Sequence, residues 1–123
     1  MAIESFTDLV AWQRSRILTK EIYAVTGRKE FNNDFSLRDQ MRRASVSVMS
    51  NIAEGYERAS KREFHRFLLI AKGSCAEVRS QLYVAYDVKY IEQETFDKLS
   101  ELTHEISRII GGLRKAVLKK SNE

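Results

Sequence analysis

Across 123 residues without a single proline, apolar side chains recur at intervals of three and four, and this pattern constrains the fold more than anything else in the chain. From Ser60 toward Tyr90 the spacing is carried by Phe64, Phe67, Ala71, Cys75, Val78, Leu82 and Ala85. With 3.6 residues per turn these share one helical face. At 1.5 Å per residue such a helix is roughly 45 Å long. The spacing recurs at Leu9, Trp12, Ser15, Leu18 or Thr19, Ile22 and Val25, ending before Gly27. It appears again at Leu37, Met41, Ala44, Val48 and Ile52, closing around Gly55 to Arg58. The last stretch, from near Glu92, shows Phe96, Leu99, Thr103, Ile106, Ile110, Leu113 and Val117 before a polar tail at Ser121 to Glu123. Serine three residues ahead of an acid, at Ser5/Asp8, Ser36/Asp39 and Ser60/Glu63, supplies helix starts, the last predicting a full capping box.

Four amphipathic helices with short connections predict an all-α, antiparallel up-and-down four-helix bundle, a single domain over residues 1–123. Five glycines are too few for a β-rich chain full of tight turns. The longest connection, Gly27 to Phe35, holds the turn sequence Asn32-Asn33-Asp34, and Phe31 and Phe35 are expected to pin it to the bundle end. Cys75 is the only cysteine, which excludes an intramolecular disulfide and a cysteine-only zinc site and suits a reducing compartment. No apolar run reaches membrane-spanning length, and Met1 to Val10 lacks signal-peptide character, so a cytoplasmic protein with no membrane partner is expected.

The second helix carries more polar groups than a core helix needs. Gln40, Ser47, Asn51, Glu54 and Arg58 fall along one flank of its apolar stripe, with Arg43 just beyond and small residues, including Gly55, nearby. A polar row at that angle marks a helix seam, a subunit contact or a ligand surface. As an active site it lacks partners, since only two histidines exist and neither joins it in sequence. A bundle that houses two metal ions repeats Glu-x-x-His on two helices. Here Glu101 and His104 form one such pair, whereas His65 follows Arg62. Ser74-Cys75 sits on the predicted core stripe without an imidazole or oxyanion donors. Lys72-Gly73-Ser74 lacks the glycine spacing of a phosphate loop, and Gly73 is expected at a close helix contact. No catalytic residue, cofactor or metal is therefore expected.

The net charge of +4 permits nucleic-acid contact without demanding it. Arg38, Arg42, Arg43, Arg58, Lys61, Arg62 and Arg66 gather around the second connection, and they are the candidate nucleic-acid-binding residues. Arg108, Arg114, Lys115, Lys119 and Lys120 load the end of the last helix, where cations also suit the helix dipole. Tyr23, Tyr56, Tyr83, Tyr86 and Tyr90 suit base stacking or, more simply, packing.

The combination of Asp8-Leu9, Trp12-Gln13, Tyr23, Leu37, Gln40, Arg43-Ala44, Ser47 and Asn51-Ile52-Ala53-Glu54-Gly55-Tyr56 with Arg58 resembles a known family. Glu63-Phe64, Phe67-Leu68, Ala71, Gly73-Ser74 and Glu77 continue the match. The family is that of the four-helix-bundle proteins encoded within intervening sequences of bacterial 23S ribosomal RNA genes. Its frequent prolines near Asn32 and at Met49 are missing here, which implies a less rigid loop and a straighter second helix. The resemblance implies an antiparallel bundle assembled as a homopentamer, and it brings no established activity. Gln40, Ser47, Asn51, Glu54, Gly55 and Arg58 are then the expected assembly signature. The resulting expectation is a non-enzymatic homo-oligomer that binds structured RNA or another nucleic acid through repeated basic rows. The alternative is a scaffold for an unidentified protein partner with no nucleic-acid role.

Overall fold

The computed structural model describes residues 2–121, except for the side chains of Lys120 and Ser121; the rest of the expected polar tail and the Lys120 cation lie outside the described residues. A 3-10 turn at Phe6–Asp8 leads into α1 (Val10–Thr26), a short α2 (Lys29–Asn33), α3 (Phe35–Glu57), α4 (Lys61–Asp87) and α5 (Gln93–Ser121). The described residues contain no strand. Each of the four long helices packs against two others, α1 on α3 and α5, and α4 on α3 and α5, around one core.

The predicted stripes form that core, joined by Leu68 next to the predicted Phe67. Leu18, Ile22, Met41, Val48, Ile52, Leu68, Val78, Leu82, Leu99, Ile106 and Ile110 are all fully buried. Among the buried side chains of α1 and α3 are two serines, and each returns its hydroxyl to a helical carbonyl. Ser15 Oγ donates to Ala11 O at 2.7 Å and Ser45 Oγ to Arg42 O at 2.9 Å. Buried hydroxyls satisfied this way let two backbones approach without an orphaned donor.

Helix ends differ from expectation in instructive ways. Ser5 and Asp8 do form a capping box, but on the 3-10 turn. The start of α3 is capped by Asp34, which accepts from Leu37 N at 3.1 Å, so Ser36 lies inside the helix and accepts from Gln40 Nε2 instead. Ser60 accepts from Glu63 N at 3.2 Å, yet Glu63 turns to Arg66 at 2.8 Å, a charged partner being stronger than a backbone amide. The α4 terminus closes with Lys89 N bonded to Tyr86 O and Tyr90 N bonded to Ala85 O, the paired bonds of a Schellman turn, with Lys89 at φ 68.

The long connection holds an extra turn of helix, α2, and this separates its two phenylalanines. Phe31 is buried against Tyr90 with ring centroids 4.9 Å apart, whereas Phe35 is 64% exposed beneath the Arg38 guanidinium. Only Phe31 pins the loop. At that end of the bundle Arg28 also pairs with Glu92 at 3.1 Å, and the Tyr90 hydroxyl donates to Asp34 Oδ2 at 3.0 Å. At the other end Tyr56, from α3, reaches Ile3 O at 3.3 Å and lines a small cleft with Phe64 and Leu113.

Candidate functional site

The polar row lies along the seam between α3 and α4. Ser47 Oγ meets Ser74 Oγ at 2.8 Å across it, and Asn51 Nδ2 donates to both Ser47 O and Ser47 Oγ, at 2.8 and 2.9 Å. Gln40, Arg43, Ala44, Ser47 and Glu77 line a shallow depression there. Gly55 is where the helices close: a methyl added to it would lie 2.6 Å from Phe67 Cβ. Gly73 is not a packing glycine, since a methyl there would meet no atom within 4 Å. It is exposed on α4, a helix that also exposes Leu69, Ile70, Tyr83 and Val84. Glu54 is also exposed, paired with Arg58 one turn on at 3.0 Å.

The seven candidate nucleic-acid residues divide between the two ends of α3, and α3 itself puts about 24 Å between Arg42 and Arg58. Arg38 is bound to Asn32 and Asp39. Arg42 donates to Thr26 Oγ1 at 2.9 Å and lies over the Tyr23 ring at 4.6 Å. Arg43 is exposed beside it. At the other end Arg58 and Arg66 both lie over the Phe67 ring, at 5.0 and 4.8 Å, while pairing with Glu54 and Glu63. The arginines act on their acids in turn. Arg38 donates a hydrogen bond that holds the Asp39 carboxyl below its usual range, and Arg66 does the same to Glu63. Lys61 lines the small cleft beside Tyr56, and Arg62 is exposed.

A second concentration of charge lies between α4 and α5. His65, Lys72 and Arg79 are seven residues apart on α4, so they share one face. They oppose His104, Arg108, Arg114 and Lys115 of α5 around a cleft of about 580 Å³. Arg114 Nη2 lies 3.3 Å from His65 Nε2, and Arg79 Nε donates to Thr103 Oγ1 at 3.2 Å. Lys72 and Lys115 make no ion pair among the described residues, none of the cleft-lining residues is acidic, and the only rings in the lining are the imidazoles of His65 and His104. Glu101 turns to Arg108 at 3.6 Å, and its helix neighbour His104 faces this cationic cleft, an unfavourable place for a metal ion. The tyrosines are engaged elsewhere, Tyr83 and Tyr86 against Phe96, Tyr56 against Phe64 and Tyr90 against Phe31.

A family model described as 23S rRNA-intervening sequence protein matches residues 7–112. The chain belongs to that family. A similar solved structure is that of a protein with unknown function from the S23 ribosomal protein family of Bacteroides thetaiotaomicron. It shares 22% identity and a TM-score of 0.79, over 86% of this chain and 99% of that one, a likeness of fold alone. No curated protein matches the chain. The match to the 23S rRNA-intervening sequence protein family spans both the α3·α4 seam and the cleft as far as Gly112, with Arg114 and Lys115 just past its limit. The cleft escaped the sequence reading because its halves lie some 40 residues apart and only the helix register joins them; the signal available was the heptad His65, Lys72 and Arg79.

Proposed function

We propose that this 23S rRNA-intervening sequence protein is a non-enzymatic, cytoplasmic nucleic-acid-binding bundle whose phosphate-binding surface is the cleft between α4 and α5. The observation that carries this is the convergence of Lys72, Arg79, Arg108, Arg114 and Lys115 on one cleft with no carboxylate in its lining. Like charges brought together raise the local potential, attract a polyanion and release its counterions on binding. The rows at the ends of α3 suit this less well, because Arg38, Arg42, Arg58 and Arg66 are held by acids or rings of their own chain, whereas among the described cleft residues Arg108 alone has an acidic partner, Glu101. The meeting of Arg28 with Glu92 and Tyr90 with Asp34 at one end, and Tyr56 with Ile3 at the other, supports the antiparallel up-and-down order.

The test is fluorescence anisotropy of a labelled structured RNA across a salt series. Replacing Lys72, Arg108 and Lys115 together by alanine is expected to weaken binding at least tenfold and to reduce the slope of log K against log salt by about 2 to 3. Replacing Arg62 and Arg66 is expected to change both less. Equal affinity and slope in the first variant overturn the proposal.

The family resemblance also supports a ring of identical copies, and the outer face of α4 offers a surface for it. Leu69, Ile70, Tyr83 and Val84 are between 41% and 56% exposed, and Gly73 of the same helix is open as well. In a pentamer, five copies at +4 present about +20, and repeated clefts bind a long polyanion multivalently. A complex that survives nuclease and high salt favours instead the scaffold for a protein partner.

A further inference from the structure

Gly111 and Gly112 stand side by side inside α5, and both line the basic cleft. A helix interior disfavours glycine against alanine, so an adjacent pair calls for a reason. The chain's own packing supplies none. A methyl added at Gly112 meets no atom within 4 Å, and one at Gly111 meets only the tip of Lys72, with Nζ at 3.9 Å. Gly55 is the contrasting case, where a neighbouring helix fills the space at 2.6 Å. Lys72, Arg79, Arg108, Arg114 and Lys115 line the same cleft. Arg114 Nε, also in this lining, is buried and has no hydrogen-bond partner among the described residues.

We propose that Gly111 and Gly112 form a notch that seats the sugar-phosphate backbone of a nucleic-acid duplex against α5. Lys72, Arg108 and Lys115 then neutralise its phosphates. The inference rests on the cleft reading given above. The helical amides of the pair are already bonded, so the glycines contribute room rather than donors. Without side chains there, the backbone sinks far enough to reach cations from both helices at once; a side chain would hold it outside. A duplex fits better than a single strand because single-strand sites join charge to aromatic platforms on which bases stack. This lining has no tyrosine, tryptophan or phenylalanine, and of its two imidazoles His65 is engaged with Arg114, so charge dominates it, the chemistry that reads a duplex by its backbone and shape.

Anisotropy with an RNA duplex of about 16 base pairs, the DNA duplex of the same sequence and the isolated strand tests this. The proteins are the wild type, the double variant Gly111→Ala and Gly112→Ala, Gly112→Leu, and the triple alanine variant of Lys72, Arg108 and Lys115. Alanine suits a helix better than glycine, so the double variant is expected to melt at a higher temperature and yet bind the duplex about fivefold or more weakly, with a shallower salt slope because fewer phosphates are reached. Gly112→Leu is expected to bind more weakly still. A preference for RNA over DNA duplex identifies A-form backbone as the ligand, and equal binding identifies duplex backbone in general; either supports the notch. Wild-type duplex affinity in both glycine variants, with loss in the triple variant, overturns the notch and leaves the cleft standing. Undiminished binding in the triple variant overturns both. A single strand bound as tightly as the duplex also overturns the notch.

Discussion

Gly55 backs onto Phe67 so closely that a methyl on Gly55 would lie 2.6 Å from Phe67 Cβ and 3.1 Å from Phe64 Cδ1. Phe67 Cβ is fixed to the α4 backbone and does not yield as the tip of a side chain does. Gly55→Ala therefore forces α3 and α4 apart, and overpacking of this kind costs about 1–3 kcal/mol, against a gain in helix propensity of about 1 kcal/mol. A net loss is expected as a lower urea midpoint at unchanged slope. A midpoint equal to or above that of the wild type refutes the close contact.

Lys89 holds the left-handed position of the turn that ends α4. Glycine adopts that conformation without a Cβ penalty, so Lys89→Gly is expected to stabilise the protein by about 0.5–1 kcal/mol. Lys89→Asn is expected to gain less, and thermal melts of the two variants order them.

The Glu92 carboxyl is held below its usual range chiefly by its own backbone amide, then by hydrogen bonds from Thr95 and Arg28. A carboxyl lowered in the folded state adds stability above its unfolded pKa and gives it up as pH falls through the folded value. Glu92→Gln is thus expected to lower stability at pH 7, with the difference from wild type shrinking as the pH is taken down to about 3. Denaturant midpoints at the two pH values measure it, and a deficit that persists undiminished in acid contradicts the assignment.

Cys75 is buried and donates from Sγ to Thr103 O at 3.2 Å; burial pushes its thiol up, with Arg79 opposing. Little thiolate then exists near neutrality. A disulfide reagent at about pH 8 is expected to leave the folded protein unmodified and to label the chain's single thiol after unfolding in guanidinium.

Asn51→Leu removes the amide that steadies Ser47 at its contact with Ser74, and Glu54→Leu releases Arg58 from its ion pair. If the row governs assembly, light scattering shows a changed mass in these variants while circular dichroism shows unchanged helix content. Wild-type mass in both removes the row from assembly.

The long helices were legible because burial on one face imposes a period, and every apolar stripe from Leu18 to Val117 turned inward or lay at the core's margin. Caps were less legible. Asp34 and Ser36 both suit an N-cap, and only the chain path out of α2 decides between them. The same path decides that Phe31 rather than Phe35 is buried. A helical glycine is equally ambiguous: Gly55 and Gly73 look alike in sequence, but one faces a neighbouring helix and the other faces outward. The cleft required pairing Lys72 with Arg108 and Lys115, a matter of interhelix register that short-range spacing does not carry.

Asp34 uses one oxygen to cap α3 and the other to accept from Tyr90, while Phe31 lies against the Tyr90 ring and Arg28 holds Glu92. These ties bolt the bundle at one end. Spontaneous opening is therefore polarised: amides near Arg58 and in the last turns of α5 exchange with solvent before those around Phe31 and Tyr90. The cleft runs toward the opposite end, where His65 meets Arg114 and Gly55 closes on Phe67. The register of α4 and α5 along the cleft is thus set from the end where Asp34 meets Tyr90.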